Sequence, residues 1–221
     1  MEMRRKRSIL FGLSLFRTLR FNLHYFGLKG LRLPVLIGRR FHLRVLRGRV
    51  LLPRDLRQKI FLGRDDFGYM RSQGAWCNEG EVFFEGPCYI GNGTRISVGP
   101  KGRLTLGSGL YFSGEDLIIC KKFISLGADS MLSWGVTVMD SDLHTILDET
   151  GAPVNPPAPI STGRHTWIGL EARLLKGAVI PDGSIVAAGA TLSKAFCQEH
   201  SLLGGINQHL RSGVSWEARE P

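Results

Sequence analysis

The first quarter of this 221-residue chain, as far as position 60, is almost without acid: Glu2 and Asp55 stand alone against 16 lysines and arginines, a balance of +14. The rest of the chain carries 13 basic against 17 acidic side chains, or −4, so the net charge of +10 belongs to the N-terminal quarter. No recognised nucleic-acid motif accompanies that charge, and a nucleic-acid partner is not expected. Nor does any apolar run approach the length of roughly 18 or more residues that a membrane span requires. The opening MEMRRKRSILFGLSLFRTLRF has a basic start and a short apolar stretch, but Arg17 and Arg20 follow at once and no small-x-small cleavage site appears. A cytoplasmic location is therefore expected. The four cysteines, at 77, 88, 120 and 197, make no CxxC pair and no zinc spacing, and no HxxxxH pair occurs. Idle thiols in a reducing compartment and the absence of a metal site are the expectations.

Glycine is abundant instead: 28 residues, above the usual share of about 7%. Many punctuate a repeat. In WIGLEARLLKGAVIPDGSIVAAGATLSK, Ile168, Leu174, Ile180, Val186 and Leu192 recur every six residues, and Ala172, Ala178, Ser184 and Ala190 follow four later. Six steps of about 100° carry a helical side chain through roughly 600°, so no helical face collects these aliphatics. In extended chain an even period points them all to one side. Gly177, Pro181, Gly183 and Gly189 break the run into very short strands, and a fixed period in short strands predicts a solenoid whose coils bury their apolar residues by stacking. The phase extends upstream through Leu126, Leu132 and Val138 and through Ile90 and Ile96, with glycines at 91, 127, 163 and 169 expected at tight corners. Between Ser97 and Lys122 the spacing loosens, and irregular coils are expected there.

Along the chain, residues 1–42 read as a basic amphipathic helical or irregular segment, 43–200 as the solenoid, and 201–221 as a tail that folds back as a turn and a strand. One interruption stands out. TILDETGAPVNPPAPIS, residues 145–161, holds four prolines and no hexad, so it should leave the wall as a loop. DSDLH, Asp140 to His144, stands at its root, where a titratable side chain is well placed to meet a substrate.

From FISLGADSMLSWGVTVMDSDLHTI and ISTGRHTWIGLEARLLKGAVIPDGSIVAAGATLSK, the chain resembles the hexapeptide-repeat acyltransferases, most closely the branch that O-acetylates sugars and polysaccharides, such as maltose and galactoside acetyltransferases. The resemblance covers roughly residues 86–210. It implies an all-β solenoid, the left-handed parallel β-helix of hexapeptide repeats, against the general preference for right-handed crossovers. It also implies a homotrimer with active sites between neighbouring prisms, and acetyl-CoA as cosubstrate. Carried over by position, His144 matches the catalytic base. A neutral imidazole can take the proton of a sugar hydroxyl as that oxygen attacks a thioester. Asp140 and Asp142 are the candidates to orient the ring. For the cofactor, the matching positions are Leu170, Ala188, Ser193 and Lys194, with Trp167 against the cofactor and Lys194 facing a phosphate. Where relatives have a GxPA-like turn followed by a basic residue, this chain has GINQHLR, with Asn207 in place of the proline and Arg211 as the basic candidate.

The expected acceptor is a sugar hydroxyl of a saccharide, polysaccharide precursor or lipid-linked saccharide. N-acetylation of an amino-sugar nucleotide, serine-type O-acetylation and a non-catalytic trimeric scaffold are the alternatives the same features allow. His165 reads as an outward-facing surface residue. The basic segment of residues 1–40 either caps the first coil or lies on an anionic membrane surface.

Overall fold

The computed structural model describes residues 12–64 and 72–217. Twenty-two strands form three sheets of nine, seven and six strands, parallel except at the last strand, and a strand inside each stack pairs with one in the coil above and one in the coil below. The chain therefore climbs as a three-sided coil. In the regular part Ile168 pairs with Val186 and Leu174 with Leu192, each partner lying three hexads further along the chain, so three hexads complete one turn. The aliphatics of the hexads fill the interior: Ile37, Leu62, Ile90, Phe112, Leu132, Ile168, Val186 and Leu203 make one column in which each residue pairs with the next, all buried. Each such side chain contributes about 1.5–3 kcal/mol of burial, and only because a neighbouring coil covers it. Ala172, Ala178, Ser184 and Ala190 are also buried, since the corner they occupy leaves room for small side chains alone.

The loosely spaced stretch remains regular in three dimensions. Ile96 pairs with Ile118 and Leu104 with Ile124, both partners lying more than three hexads ahead, so these coils keep three strands and lengthen their turns. The coil starts at Val35–Ile37, ahead of residue 43, and its last parallel strand is Ser201–Gly204, beyond residue 200. Gln208–Ser212 then returns antiparallel to that strand. The glycines at 91, 127, 163 and 169 do not adopt left-handed backbone; a Cβ there would collide with the next coil, as at Gly127 against the carbonyl of Gly163. The positive φ falls instead on Gly177, Gly183 and Gly189, at 86°, 65° and 68°.

An open end of a parallel coil exposes a strand edge that must be paired or covered. Helix α1, Leu15–Phe26, covers it. Its inward face carries the polar Thr18 and Asn22 as well as Phe21. The Thr18 hydroxyl accepts from Ile37 N at 3.0 Å; the Asn22 side chain accepts from Val35 N at 3.1 Å and donates to Val35 O at 2.6 Å. Two side chains thus stand in for the missing strand. Phe21 meets Trp76 edge-on at 5.4 Å, tying the helix to the core.

Cys88 and Cys120 lie within the core, and burial pushes the Cys120 thiol up to about 12. Cys77 is partly covered and raised by the same cause, whereas Cys197 is exposed. A thiol reagent at neutral pH is therefore expected to modify one cysteine rapidly in the native protein and all four after unfolding. Persistence of the fast phase in Cys197→Ser would show that the burial pattern is wrong.

Candidate active site

The proline-rich interruption leaves the coil after the strand Thr137–Met139 and rejoins it at Ile160–Thr162. Its root is closed by Ala158 N donating to Asp140 O at 3.1 Å. Beyond the root the arm is a small hairpin: Val154 N donates to Ile146 O and Asp148 N to Ala152 O, each at 2.9 Å, with Gly151 at φ 80° in the tip. His144 sits where the chain turns into this arm, just after Leu143 at φ 63°. The histidine side chain is exposed and makes no hydrogen bond among the described residues.

The two candidate carboxylates divide. Asp140 is fully buried and accepts from the backbone N–H groups of Lys121, Lys122 and Phe123 at 2.7, 2.8 and 2.8 Å. It holds the turn of the preceding coil and makes no bond to His144. Asp142 lies at the site but does not touch the imidazole either. It accepts from Lys176 Nζ at 2.5 Å and from Asn155 Nδ2 at 2.7 Å. The Lys176 hydrogen bond first, then that of Asn155, hold its carboxyl below the usual carboxylate range, so it is ionised at neutral pH.

Asn155 is the residue that sequence reasoning missed. Its Nδ2 also donates to the His144 carbonyl at 2.9 Å, and its Oδ1 accepts from Ile146 N at 2.7 Å. One amide from the returning limb of the arm therefore fixes the backbone just after His144, on either side of Thr145, and links it to Asp142 and Lys176. The signal for Asn155 in the sequence is weak, a polar residue among prolines. For Lys176 it is better: Lys176 and Lys194 stand three hexads apart, one turn of the coil, and follow paired strands at the same corner.

His144, Lys176, Ser193 and Lys194 thus share the edge that follows the seven-stranded sheet. Ser193 exchanges hydrogen bonds with Asn207, whose Oδ1 accepts from Ser193 N at 2.7 Å and whose Nδ2 donates to Ser193 Oγ at 3.0 Å. The Lys194 ammonium lies 5.1 Å from the ring centre of Phe196. Leu170 and Ala188 stack on another edge, the one after the nine-stranded sheet, where Gly189 N donates to Leu170 O at 2.8 Å. Both side chains are exposed. Arg211 lies on the final antiparallel strand opposite Leu202. Trp167 donates from Nε1 to Ser133 Oγ at 3.0 Å on the outer face of the nine-stranded sheet. Trp216 from the tail reaches the same face, 6.1 Å from Trp167 ring to ring, and stacks on His165 at 4.5 Å. In one protomer, then, His144, Ser193 and Lys194 occupy one edge and Leu170 and Ala188 another, with the seven-stranded sheet between them. Among the described residues no cluster of three or more potential metal ligands occurs.

No family model matches the chain. Over 66 residues, 29% of this chain and 31% of the relative, it is 36% identical to a polysialic acid O-acetyltransferase of Neisseria meningitidis. Over 141 residues, 63% of this chain and 62% of the relative, it is 27% identical to an uncharacterized 24.8 kDa protein from the cps region of Klebsiella pneumoniae. The chain spans less than two thirds of the length of either curated relative. Among solved structures, a polySia-specific acetyltransferase aligns with 85% of this chain and 80% of its own at a TM-score of 0.47 and 14% identity. The chain is a three-sided parallel β-helix, and over part of its length it is similar to a polysialic acid O-acetyltransferase.

Proposed function

We propose that this protein is an acetyl-CoA-dependent O-acetyltransferase that acylates a hydroxyl of a saccharide, with His144 as general base. The observation that carries the reading is the mounting of His144: Asn155 and the Asp142–Lys176 pair fix its backbone while the imidazole stays exposed and without an internal partner among the described residues. That is how a base must stand if its partner is a substrate. The neutral ring takes the acceptor hydroxyl proton as the oxygen bonds to the thioester carbonyl carbon. The tetrahedral oxyanion then collapses, the C–S bond breaks, and the departing CoA sulfur takes the proton from the imidazolium. Lys194 supplies a point charge for a CoA phosphate, and the exposed small residue Ala188 gives the pantetheine arm a smooth edge to run along.

A homotrimer is part of the proposal. The edges carrying His144 and Ala188 face different ways in one chain, and two copies side by side bring one edge of each to a shared groove. The arm supports this, because Ile146, Leu147 and Val154 are each more than half exposed in the lone protomer. A saccharide acceptor is favoured by the polysialic acid O-acetyltransferase relative, and a cytoplasmic location by the supply of acetyl-CoA there.

The direct test is CoA-thiol release by the purified full chain with acetyl-CoA against a panel of oligosaccharides, sialic acid polymers and amino-sugar nucleotides. Acceptor-dependent release with a saccharide hydroxyl is expected. Release only with an amino-sugar nucleotide would move the assignment to N-acetylation, and none with any acceptor would remove it. Asn155→Ala is expected to lower kcat by roughly ten- to a hundredfold with little change in the KM for acetyl-CoA, since a small misplacement of a base costs on that scale. Equal effects on both parameters would mean that Asn155 serves the cofactor instead.

A further inference from the structure

Helix α1 is apolar on two sides. Its coil-facing side buries Phe21 together with the polar Thr18 and Asn22, while Phe16, Arg20 and Leu23, spaced i, i+4 and i+7, form a second line that faces outward. Phe16 is 75% exposed, and Leu28 and Leu31 in the following short helix are 83% and 59% exposed. Between α1 and the first coil lies a groove of about 450 Å³ lined by Arg17, Arg20, Arg39, Arg44 and His42 with Ser14 and Phe16. None of these four arginines is ion-paired among the described residues; the Arg17 guanidinium and Arg39 Nε are held by the backbone carbonyls of Arg39 and Leu13. His42 has its pKa drawn below the ordinary histidine value, by partial burial first and then by the charges of Arg17 and Arg44. A second groove, beside the short helix that follows α1, carries Lys29, Arg32, Arg54, Arg57 and Lys59.

We infer that the α1 end of the coil is a docking surface for an anionic phospholipid bilayer, with Phe16, Leu28 and Leu31 entering the acyl boundary and the flanking arginines engaging headgroup phosphates. The pairing of apolar tips with phosphate-seeking guanidinium groups is what distinguishes a bilayer from a soluble polyanion. Arginine would serve either partner, but projecting leucine and phenylalanine serve only the first. The orientation of α1 follows from its second task, since the residues that cap the open strand edge are polar and must point inward. This surface lies at the opposite end of the coil from Lys194, and the inference does not rest on acetyl transfer.

The test is co-sedimentation of the full chain with vesicles of phosphatidylcholine alone and of phosphatidylcholine with about 30% phosphatidylglycerol, in low and high salt. Binding to the anionic vesicles is expected to exceed binding to the neutral ones at least about tenfold, and to weaken with salt. Phe16→Ser/Leu28→Ser/Leu31→Ser, at exposed positions that leave the fold intact, should cut anionic binding by about tenfold or more. Arg20→Glu/Arg44→Glu should do the same, and thermal unfolding confirms that both variants are folded. Equal or absent binding to the two vesicle types would overturn the inference. So would wild-type binding by the Phe16/Leu28/Leu31 variant together with release by a soluble polyanionic saccharide, which would reassign the groove to the polymer.

Discussion

His144→Ala is expected to lower acceptor-dependent acetyl transfer by roughly 10²- to 10⁴-fold, the usual contribution of a positioned general base. The fold should not notice. The side chain is exposed and unbonded among the described residues, and the contacts that hold this part of the arm run through the His144 carbonyl, which alanine keeps. Steady-state CoA release, with thermal unfolding as control, checks both halves. Undiminished turnover in His144→Ala would sink the assignment of the base.

Asp140→Ala is expected to act on stability in the first place. Its carboxylate is fully buried and accepts three backbone N–H groups, from Lys121, Lys122 and Phe123, at 2.7–2.8 Å. Removing an acceptor from a buried donor costs about 1–3 kcal/mol, so stranding several in one turn should destabilise the coil by about 3–5 kcal/mol, read from denaturant unfolding. Asp142→Asn is the informative contrast. Asp142 is exposed, and its partners Lys176 and Asn155 can still bond an amide oxygen. Stability should hardly change while activity falls through the loosened mounting of His144. If Asp140→Ala folded normally and lost only activity, the structural reading of that carboxylate would fail.

These two aspartates show where the sequence stopped being informative. DSDLH put Asp140, Asp142 and His144 on alternating positions, which an extended chain would bring to one face and a turn would separate. Asp140 closes the strand wall while Asp142 is already in the arm, so neighbours in sequence serve different layers. Alternation holds only while the chain stays extended, and Leu143 at φ 63° ends it. Asn155 was hidden for a related reason. It reaches His144 across a hairpin whose pairing follows from turn geometry, and no periodicity marks it. The glycines were legible as necessary and misjudged in kind: at 91, 127, 163 and 169 the demand comes from the coil above, which a single hexad cannot reveal.

Read alone, the chain already specifies the solenoid, its interior columns, the place where the arm leaves the wall and the basic N-terminal quarter. All of these follow from local rules, an even period in extended chain and proline or glycine where it must break. Packing between coils settled the rest: which carboxylate is buried, which amide fixes His144, that Leu170 and Ala188 stand on a different edge from Lys194, and that α1 leaves Phe16 and Leu23 exposed while Phe21 enters the core. Those outcomes depend on what the neighbouring coil offers each side chain. At the open end it offers unpaired backbone groups, and Thr18 and Asn22 answer them, leaving Phe16 and Leu23 to face away.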